Sequence, residues 1–356
     1  MKATGARVAA VATAFPPHVH TQQEILDEMR RTWKPPEGVL RRLEAFVEST
    51  RVERRHLSVP LERYGAIETF GQANDLWIRT ATELGERAIR GALDEAGLEP
   101  TDVDAFYFVS VTGISSPSVD ALLANRLGLA TRVKRTPIFG LGCVAGASGL
   151  ARAADYLKAY PDQVVVLLSV ELCSLTFQRN DLSVKNLVAS CLFADGAAAV
   201  VLVGADHPVR GTGPKLLDNR SFFYPSTEDV MGWRISERGF EIVLSATVPE
   251  VVGSNIRGNV DALLADHGLE REAVGSWVCH PGGPKILVAL QHALDLDDRH
   301  LAATWHCLKE KGNLSSASLL LVLEHTMRHA RPAEGTVGVL AAMGPGFCSE
   351  LLLARW

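Results

Sequence analysis

Cys143 lies in the run Pro137-Ile138-Phe139-Gly140-Leu141-Gly142-Cys143-Val144-Ala145-Gly146-Ala147-Ser148-Gly149-Leu150. An apolar stretch meets a tight glycine turn and a helix of small residues follows at once, so the thiol is expected at a helix N-terminus. The helix dipole there favours thiolate over thiol, and glycines on both sides would leave room for a substrate to approach the sulfur. His280 opens the turn His280-Pro281-Gly282-Gly283-Pro284 directly after the apolar segment 276–279, which would hold an imidazole rigidly at a strand end. Asn313 lies in Gly312-Asn313-Leu314-Ser315-Ser316-Ala317-Ser318, a polar turn entering a helix. Singly, these residues read as a small buried cysteine, a capped core histidine and a helix cap. Together they meet the needs of acyl transfer through a thiol. The nucleophile requires a partner that assists its ionisation, and a thioester oxyanion requires two hydrogen-bond donors. A neutral asparagine suits a site that stabilises an enolate without a permanent counter-ion.

Other candidate sites are weaker. Glu324-His325-Thr326-Met327-Arg328-His329 places two histidines at i and i+4, but no third ligand is evident and His-Glu-x-x-His is not matched, so no metal is expected. No glycine-rich loop has Walker A or dinucleotide spacing, so no cofactor is implied. The six cysteines (143, 173, 191, 279, 307, 348) include no C-x-x-C pair and most sit in apolar strings, which fits buried free thiols in a reducing cytoplasm.

The elements that must position the trio are legible in part. Residues 92–109 (ALDEAGLEPTDVDAFYFV) and 262–280 (ALLADHGLEREAVGSWVCH) repeat one pattern at a constant offset of 171. In each copy an amphipathic helix is stopped by glycine, a short acidic turn follows, and a buried strand closes the unit. An offset near half the chain argues for duplication into two similar α/β halves, here drawn as 1–206, carrying the cysteine, and 207–356, carrying His and Asn. Continuous apolar runs at 163–170, 197–203, 337–342 and 350–354 predict central strands covered on both faces, and the N-terminal stretch predicts a first strand. Helices are expected over 145–160, 248–267, 284–294 and 315–330. The weakly periodic region 204–235 predicts a connection and pocket wall, and 33–38, with Lys34-Pro35-Pro36, a surface loop.

Composition fits a large soluble enzyme. The chain has 356 residues, 47% hydrophobic and 22% charged, with a net charge of −5. That is enough apolar material for a sizeable interior, with no basic excess for nucleic acid and no apolar run long enough to span a membrane.

The stretches GLGCVAGASGLARAADYL, LFADGAAAVV, WVCHPGGPKIL, KGNLSSAS and MGPGF strongly resemble the type III polyketide synthases, the chalcone synthase-like family, across nearly the whole chain. The resemblance implies the thiolase fold, with duplicated βαβαβαββ halves in a five-layered αβαβα sandwich, and a homodimer. It implies that Cys143 carries the growing acyl chain. His280 and Asn313 would hold the thioester carbonyl while malonyl-CoA loses carbon dioxide. Phe193 matches the gatekeeper, and Gly344-Pro345-Gly346 the loop that shapes the cyclisation cavity. Ile242 stands where plant enzymes carry a second pocket phenylalanine and Cys173 where they carry threonine, while Trp233 is a further pocket-shaping position. Arg51, Arg54 and Arg55 lie near the family's CoA-contacting segment, although interleaving with Glu48 and Glu53 equally suits a solvated helix face. VELCSLTF, NLVASCLFADGAAA and MGWRI…GFEIVLSATVP look like bacterial members that make alkylpyrones or alkylresorcinols, which favours an aliphatic acyl-CoA starter with malonyl-CoA as extender.

Three rivals share parts of this pattern. An initiating ketoacyl-ACP synthase has the same Cys-His-Asn set, but typically shows His-Gln-Ala-Asn where this chain has His280-Pro281-Gly282-Gly283. A papain-like hydrolase shares the Cys…His…Asn order, but lacks the duplication and the glycine-crowded cysteine. An idle scaffold of the same fold need not keep all three residue types.

Overall fold

The computed structural model describes residues 5–356. Nine strands form its main sheet: β1 Arg7–Ala14, β2 Ala105–Val109, β3 Lys134–Ile138, β4 Val164–Leu172, β5 Asp195–Val203, β6 Lys215–Phe223, β7 Val274–Cys279, β8 Val337–Gly344 and β9 Cys348–Arg355. Their order is β7-β8-β9-β6-β1-β5-β4-β2-β3. The sheet is two sheets in substance. β1 pairs with β5 from end to end, yet it meets β6 only at Arg7–Lys215. The strands written as continuous apolar runs, β4 and β5, are buried at every position, as expected where helices cover both faces.

Four helices account for most of that cover: α1 Phe70–Ala96, α2 Ala145–Ala159, α3 Val248–Ala265 and α4 Ala317–His329. α1 packs outside the first half on β1, β4 and β5, and α3 packs outside the second half on β6 and β9. Between them, α2 and α4 each touch strands of both halves. The layers therefore run helix, sheet, helix, sheet, helix, the five-layered sandwich expected. Within α2, ten of fifteen residues are buried, which is why it is written in Ala, Gly and Ser. A Cβ added to Gly146 would stand 2.2 Å from the Ser316 carbonyl oxygen, so only glycine lets α2 approach the start of α4 this closely.

The repeat seen in the sequence is a repeat in space. Gly97 (φ 67°) and Gly268 (φ 64°) both take the left-handed conformation after their helices. Leu98 N–H donates to the Leu93 carbonyl and Leu269 N–H to the Leu264 carbonyl, each at 3.0 Å. Both copies thus close with the same 6→1 bond, pass through a single 3-10 turn and enter β2 or β7.

Several expectations need correction. Region 204–235 holds β6 and most of a second strand, Met231–Ser236, paired to Gly239–Leu244. These strands are only partly buried, so their side chains follow no clean alternation. The surface loop shrinks to 34–36, because Trp33 ends helix Gln22–Trp33, where it stacks on Phe177, and Gly38 lies inside helix Glu37–Ser49. α4 begins at Ala317 rather than at Ser315, whose φ of 48° is incompatible with a helix.

Candidate active site

Cys143 occupies a 3-10 turn, Gly142–Val144, that runs straight into α2. Asn313 and Ser315 occupy the turn that enters α4. These two turns face each other, with Cys143 Sγ 3.5 Å from Ser315 Oγ. The N-terminal, positive ends of both central helices therefore meet at the sulfur. The flanking glycines serve this packing rather than substrate access: Gly142 has φ 55°, and a Cβ there would lie 2.5 Å from Pro345 Cδ. The Gly344-Pro345-Gly346 loop buttresses the nucleophile turn, and its flanking residues Met343 and Phe347 line the cavity instead.

His280 stands at the end of β7, fixed by its N–H donating to the Ala341 carbonyl at 2.9 Å. Its ring is buried, and neither Nδ1 nor Nε2 has a hydrogen-bond partner. Two orphaned nitrogens in a buried ring are costly unless a ligand satisfies them. Asn313 has its carboxamide oriented by the backbone. Oδ1 accepts from Ser315 N–H at 2.8 Å and from Ser318 Oγ at 3.3 Å, which leaves Nδ2 as the free donor, with only a 3.4 Å contact to the Gly282 carbonyl. Asn313 N–H also donates to the Leu192 carbonyl at 3.0 Å, and Ala194 N–H to the Asn313 carbonyl at 2.9 Å, locking it beside Phe193.

Cys143, His280, Asn313 and Phe193 line a single cavity of about 600 Å³. The structure thus brings the trio together, although the residues come from opposite halves of the chain. Phe193 also borders a second chamber of about 100 Å³, which contains Cys173, Trp233 and Ile242. Trp233 and Ile242 are cross-strand partners. Phe193 thus stands between the cavity that holds the thiol and the chamber lined by Cys173, Trp233 and Ile242.

Burial dominates the electrostatics. It pushes the Cys143 thiol up to about 12, opposed by the Ser315 hydrogen bond and reinforced by Glu171. It pulls the His280 imidazole down to about 4. A lone thiolate is thus disfavoured, contrary to the expectation from the helix dipole alone. Both groups border one cavity, and a thiolate there would be stabilised by a proton held on His280, since the two charges would compensate each other in a site of low dielectric. Without His280 a thiolate has no compensating cation, so its apparent pKa must rise. In His280→Ala, peptide-resolved alkylation of Cys143 by iodoacetamide is expected to slow at neutral pH and to climb only in the alkaline range. Superimposable pH profiles for the variant and the wild type would show that the two groups are uncoupled.

Sequence reasoning missed Ser315 and Glu171. Glu171 is a fully buried carboxyl below the nucleophile that accepts from Thr112 Oγ1 at 2.8 Å, from Val111 N–H at 3.2 Å and from Ser316 Oγ. Burial pushes it up to about 7. Its signal was present, as the one charge inside the apolar strand β4.

The arginine expectations fare differently. Arg55 is buried and cannot meet a CoA phosphate at the surface. It donates through Nη1 to the carbonyls of Ser190 (2.8 Å) and Phe193 (2.7 Å) and through Nε to Gln22 Oε1 (2.9 Å), so it caps the end of helix Val184–Leu192 and fixes the Phe193 backbone. Arg54 pairs with Glu310 at 3.5 Å, and Arg51 lies over the Trp305 ring at 4.9 Å. None of the three lines the cavity that holds Cys143, although Arg55 borders the smaller chamber. His325 and His329 gain a neighbour in His306, stacked at 4.4 Å on His325. Among the described residues no three potential ligands converge on a metal position, and no helix is long and apolar enough to cross a membrane.

The models of the chalcone and stilbene synthases match the chain, the N-terminal domain over residues 1–207 and the C-terminal domain over residues 216–356. A 1,3,6,8-tetrahydroxynaphthalene synthase of Streptomyces peucetius subsp. caesius is 49% identical over 356 residues, covering 99% of this chain and 93% of the relative. A phloroglucinol synthase of Pseudomonas fluorescens is 30% identical over 345 residues, covering 96% and 97%. The crystal structure of the 1,3,6,8-tetrahydroxynaphthalene synthase of Streptomyces coelicolor A3(2) superimposes with a TM-score of 0.92 at 33% identity, covering 98% and 99%.

Proposed function

The chain belongs to the chalcone and stilbene synthases, acyltransferases of the type III polyketide synthase class with the thiolase fold, and on that premise we propose that it condenses malonyl-CoA units iteratively on Cys143. One observation carries this reading: a buried thiol, a buried imidazole without partners and a carboxamide whose Nδ2 has only a 3.4 Å contact to the Gly282 carbonyl all border one cavity.

The chemistry follows from that arrangement. Cys143 gives its proton to His280 and attacks the thioester carbonyl of the starter. The CoA sulfur leaves with that proton, and the acyl group stays on Cys143. Malonyl-CoA then places its thioester oxygen between a His280 N–H and Asn313 Nδ2. The bond to the carboxylate breaks, carbon dioxide departs and the electron pair becomes an enolate held by the two donors. The Phe193 ring favours this step by offering the carboxylate an apolar neighbour. The enolate carbon attacks the Cys143 thioester and expels the thiolate, which leaves a chain two carbons longer on CoA. Return of that chain to Cys143 repeats the cycle until it folds and closes a ring.

The relatives named for tetrahydroxynaphthalene and phloroglucinol support a small polyhydroxylated aromatic product, and the first reading is that malonyl-CoA alone supplies its carbons. An aliphatic acyl-CoA starter leading to an alkylpyrone or resorcinol is the second reading. It is favoured by the apolar residues Ile25, Met29, Trp33, Phe177, Trp233 and Ile242 around the smaller chamber, though about 100 Å³ admits only a short chain. Mass spectrometry of products from isotope-labelled malonyl-CoA, alone and with a panel of acyl-CoAs, decides between them. An aromatic product from malonyl-CoA alone supports the first, an acyl group retained in the product supports the second, and no condensation under any condition refutes both. We also propose a homodimer formed along the sheet edge at β3, which is exposed from Lys134 to Pro137 and flanked by exposed Ile114 and Phe139. Light scattering that returns a monomer would remove this part.

A further inference from the structure

The turn that carries Asn313 is entered from Lys311, the last residue of helix Ala302–Lys311. Lys311 is partly buried, yet no carboxylate among the described residues forms an ion pair with it. Its Nζ lies instead 3.2 Å from His56 Nε2 and 4.7 Å over the Phe15 ring. His56 belongs to strand Arg54–Leu57 and stacks on Phe15 at 4.6 Å, with its Nδ1 2.8 Å from the Pro16 carbonyl oxygen. A carbonyl only accepts and an ammonium only donates. The two contacts together therefore fix the ring as the neutral tautomer with its proton on Nδ1, accepting from Lys311 at Nε2. Neither residue borders the cavity or the smaller chamber. Each is instead adjacent in sequence to a residue that holds the site. Arg55, beside His56, donates to the Phe193 carbonyl. Gly312, between Lys311 and Asn313, has φ 73° and is closely confined. A Cβ there would stand 2.9 Å from the Leu192 carbonyl oxygen and 3.2 Å from Arg55 Cδ, so a shift of Lys311 has no slack to absorb it before Asn313.

We propose that the hydrogen bond between Lys311 and His56 is a positioning device for decarboxylation, fastening the strand that holds Phe193 to the turn that presents Asn313 Nδ2. The proposal rests on the reading of Asn313 as a donor to the malonyl-CoA enolate. It gives the reaction a pH dependence that originates outside the cavity. A protonated His56 would turn an N–H toward the Lys311 ammonium, and two cations would face each other where one hydrogen bond had been. Burial holds the imidazole below its ordinary range; the Pro16 hydrogen bond opposes this and the Lys311 charge adds to it. The other ionisable groups that act on Lys311 are Glu310, Arg54, Cys307 and Glu324, while apolar Val19 stands opposite His56 on the paired strand. The bond is therefore complete at neutral pH and is lost as pH falls through the depressed range of His56.

The test measures carbon dioxide release from malonyl-CoA as a function of pH. His56→Phe keeps a ring on Phe15 but loses both hydrogen bonds, and Lys311→Met removes the donor. In each, kcat at neutral pH is expected to fall about fivefold with KM unchanged. His56→Gln is the conservative variant, since its carboxamide can accept from Lys311 and donate to Pro16 without titrating. It should retain turnover at neutral pH, and the ratio of wild-type to His56→Gln turnover should decline only as the solution becomes acidic. An unchanged kcat in both disruptive variants, or a ratio that stays flat with pH, overturns the proposal even where thermal unfolding shows a loss of stability. Nitrogen NMR of the histidine rings reads the pair without turnover. His56 is expected as the Nδ1–H tautomer, with a pKa that rises in Lys311→Met because the neighbouring cation is gone. A His56 pKa indifferent to Lys311 refutes the bond itself. A wild type that releases no carbon dioxide removes the proposed function, whereas a working enzyme with any of the other negative results removes the positioning role alone.

Discussion

Cys143→Ala is expected to abolish chain elongation while leaving a measurable decarboxylation of malonyl-CoA. The two activities separate because elongation needs the sulfur as well as the two donors, whereas decarboxylation needs the donors alone. Elongation requires a sulfur that holds the acyl group, and Cys143 is the only thiol among the described residues that line the cavity, so the yield of condensed product should fall by at least about 10⁴. Decarboxylation requires only donors at the thioester oxygen, and His280 and Asn313 keep their backbone anchors when the thiol is removed. Loss of one sulfur atom from a tightly packed turn changes little volume, so folding should be retained, with a cost of about 1 kcal/mol. Released carbon dioxide and condensed product are measured in the same reaction, and intact-protein mass spectrometry checks for an acyl adduct. Normal product yield, or an acyl group found on another cysteine, would remove Cys143 from the centre of the mechanism.

How much of this was legible beforehand depends on how local each signal is. The duplication could be read because helix stop, turn and strand are decided within a few residues, and Gly97 and Gly268 state them in the same way. The trio could be read because Cys143 and His280 each follow an apolar segment at a glycine-rich turn, while Asn313 stands after Gly312 in a polar turn that enters a helix. Arg55 could not be read. Between Glu53, Arg54 and His56 it has the appearance of a solvated residue, and only carbonyls more than a hundred positions away, at Ser190 and Phe193, make it a buried cap. The strand β6 was missed for a related reason. It is the seam where the halves meet, half-covered and carrying Asp218, Asn219 and Arg220, so neither alternation nor a continuous apolar run marks it.

The role given to Asn313 makes a prediction in which stability and activity move in opposite orders. In Asn313→Ala, the Ser315 N–H loses its acceptor inside the protein, and the cavity loses the Nδ2 donor. The first change costs about 1–3 kcal/mol of stability. The second should lower decarboxylation and condensation together by about 10²–10³. In Asn313→Asp, one carboxylate oxygen can still accept from Ser315 N–H and Ser318 Oγ, so the turn into α4 survives better than in the alanine variant. The other oxygen then faces the site as an acceptor with negative charge, where the enolate needs a donor. The aspartate variant should therefore be the more stable of the two and the less active. Thermal unfolding and carbon dioxide release, measured on both variants, give the comparison directly. If aspartate restores turnover above the alanine level, the carboxamide is not donating to the enolate, and Asn313 is only the cap that its place before α4 would otherwise suggest.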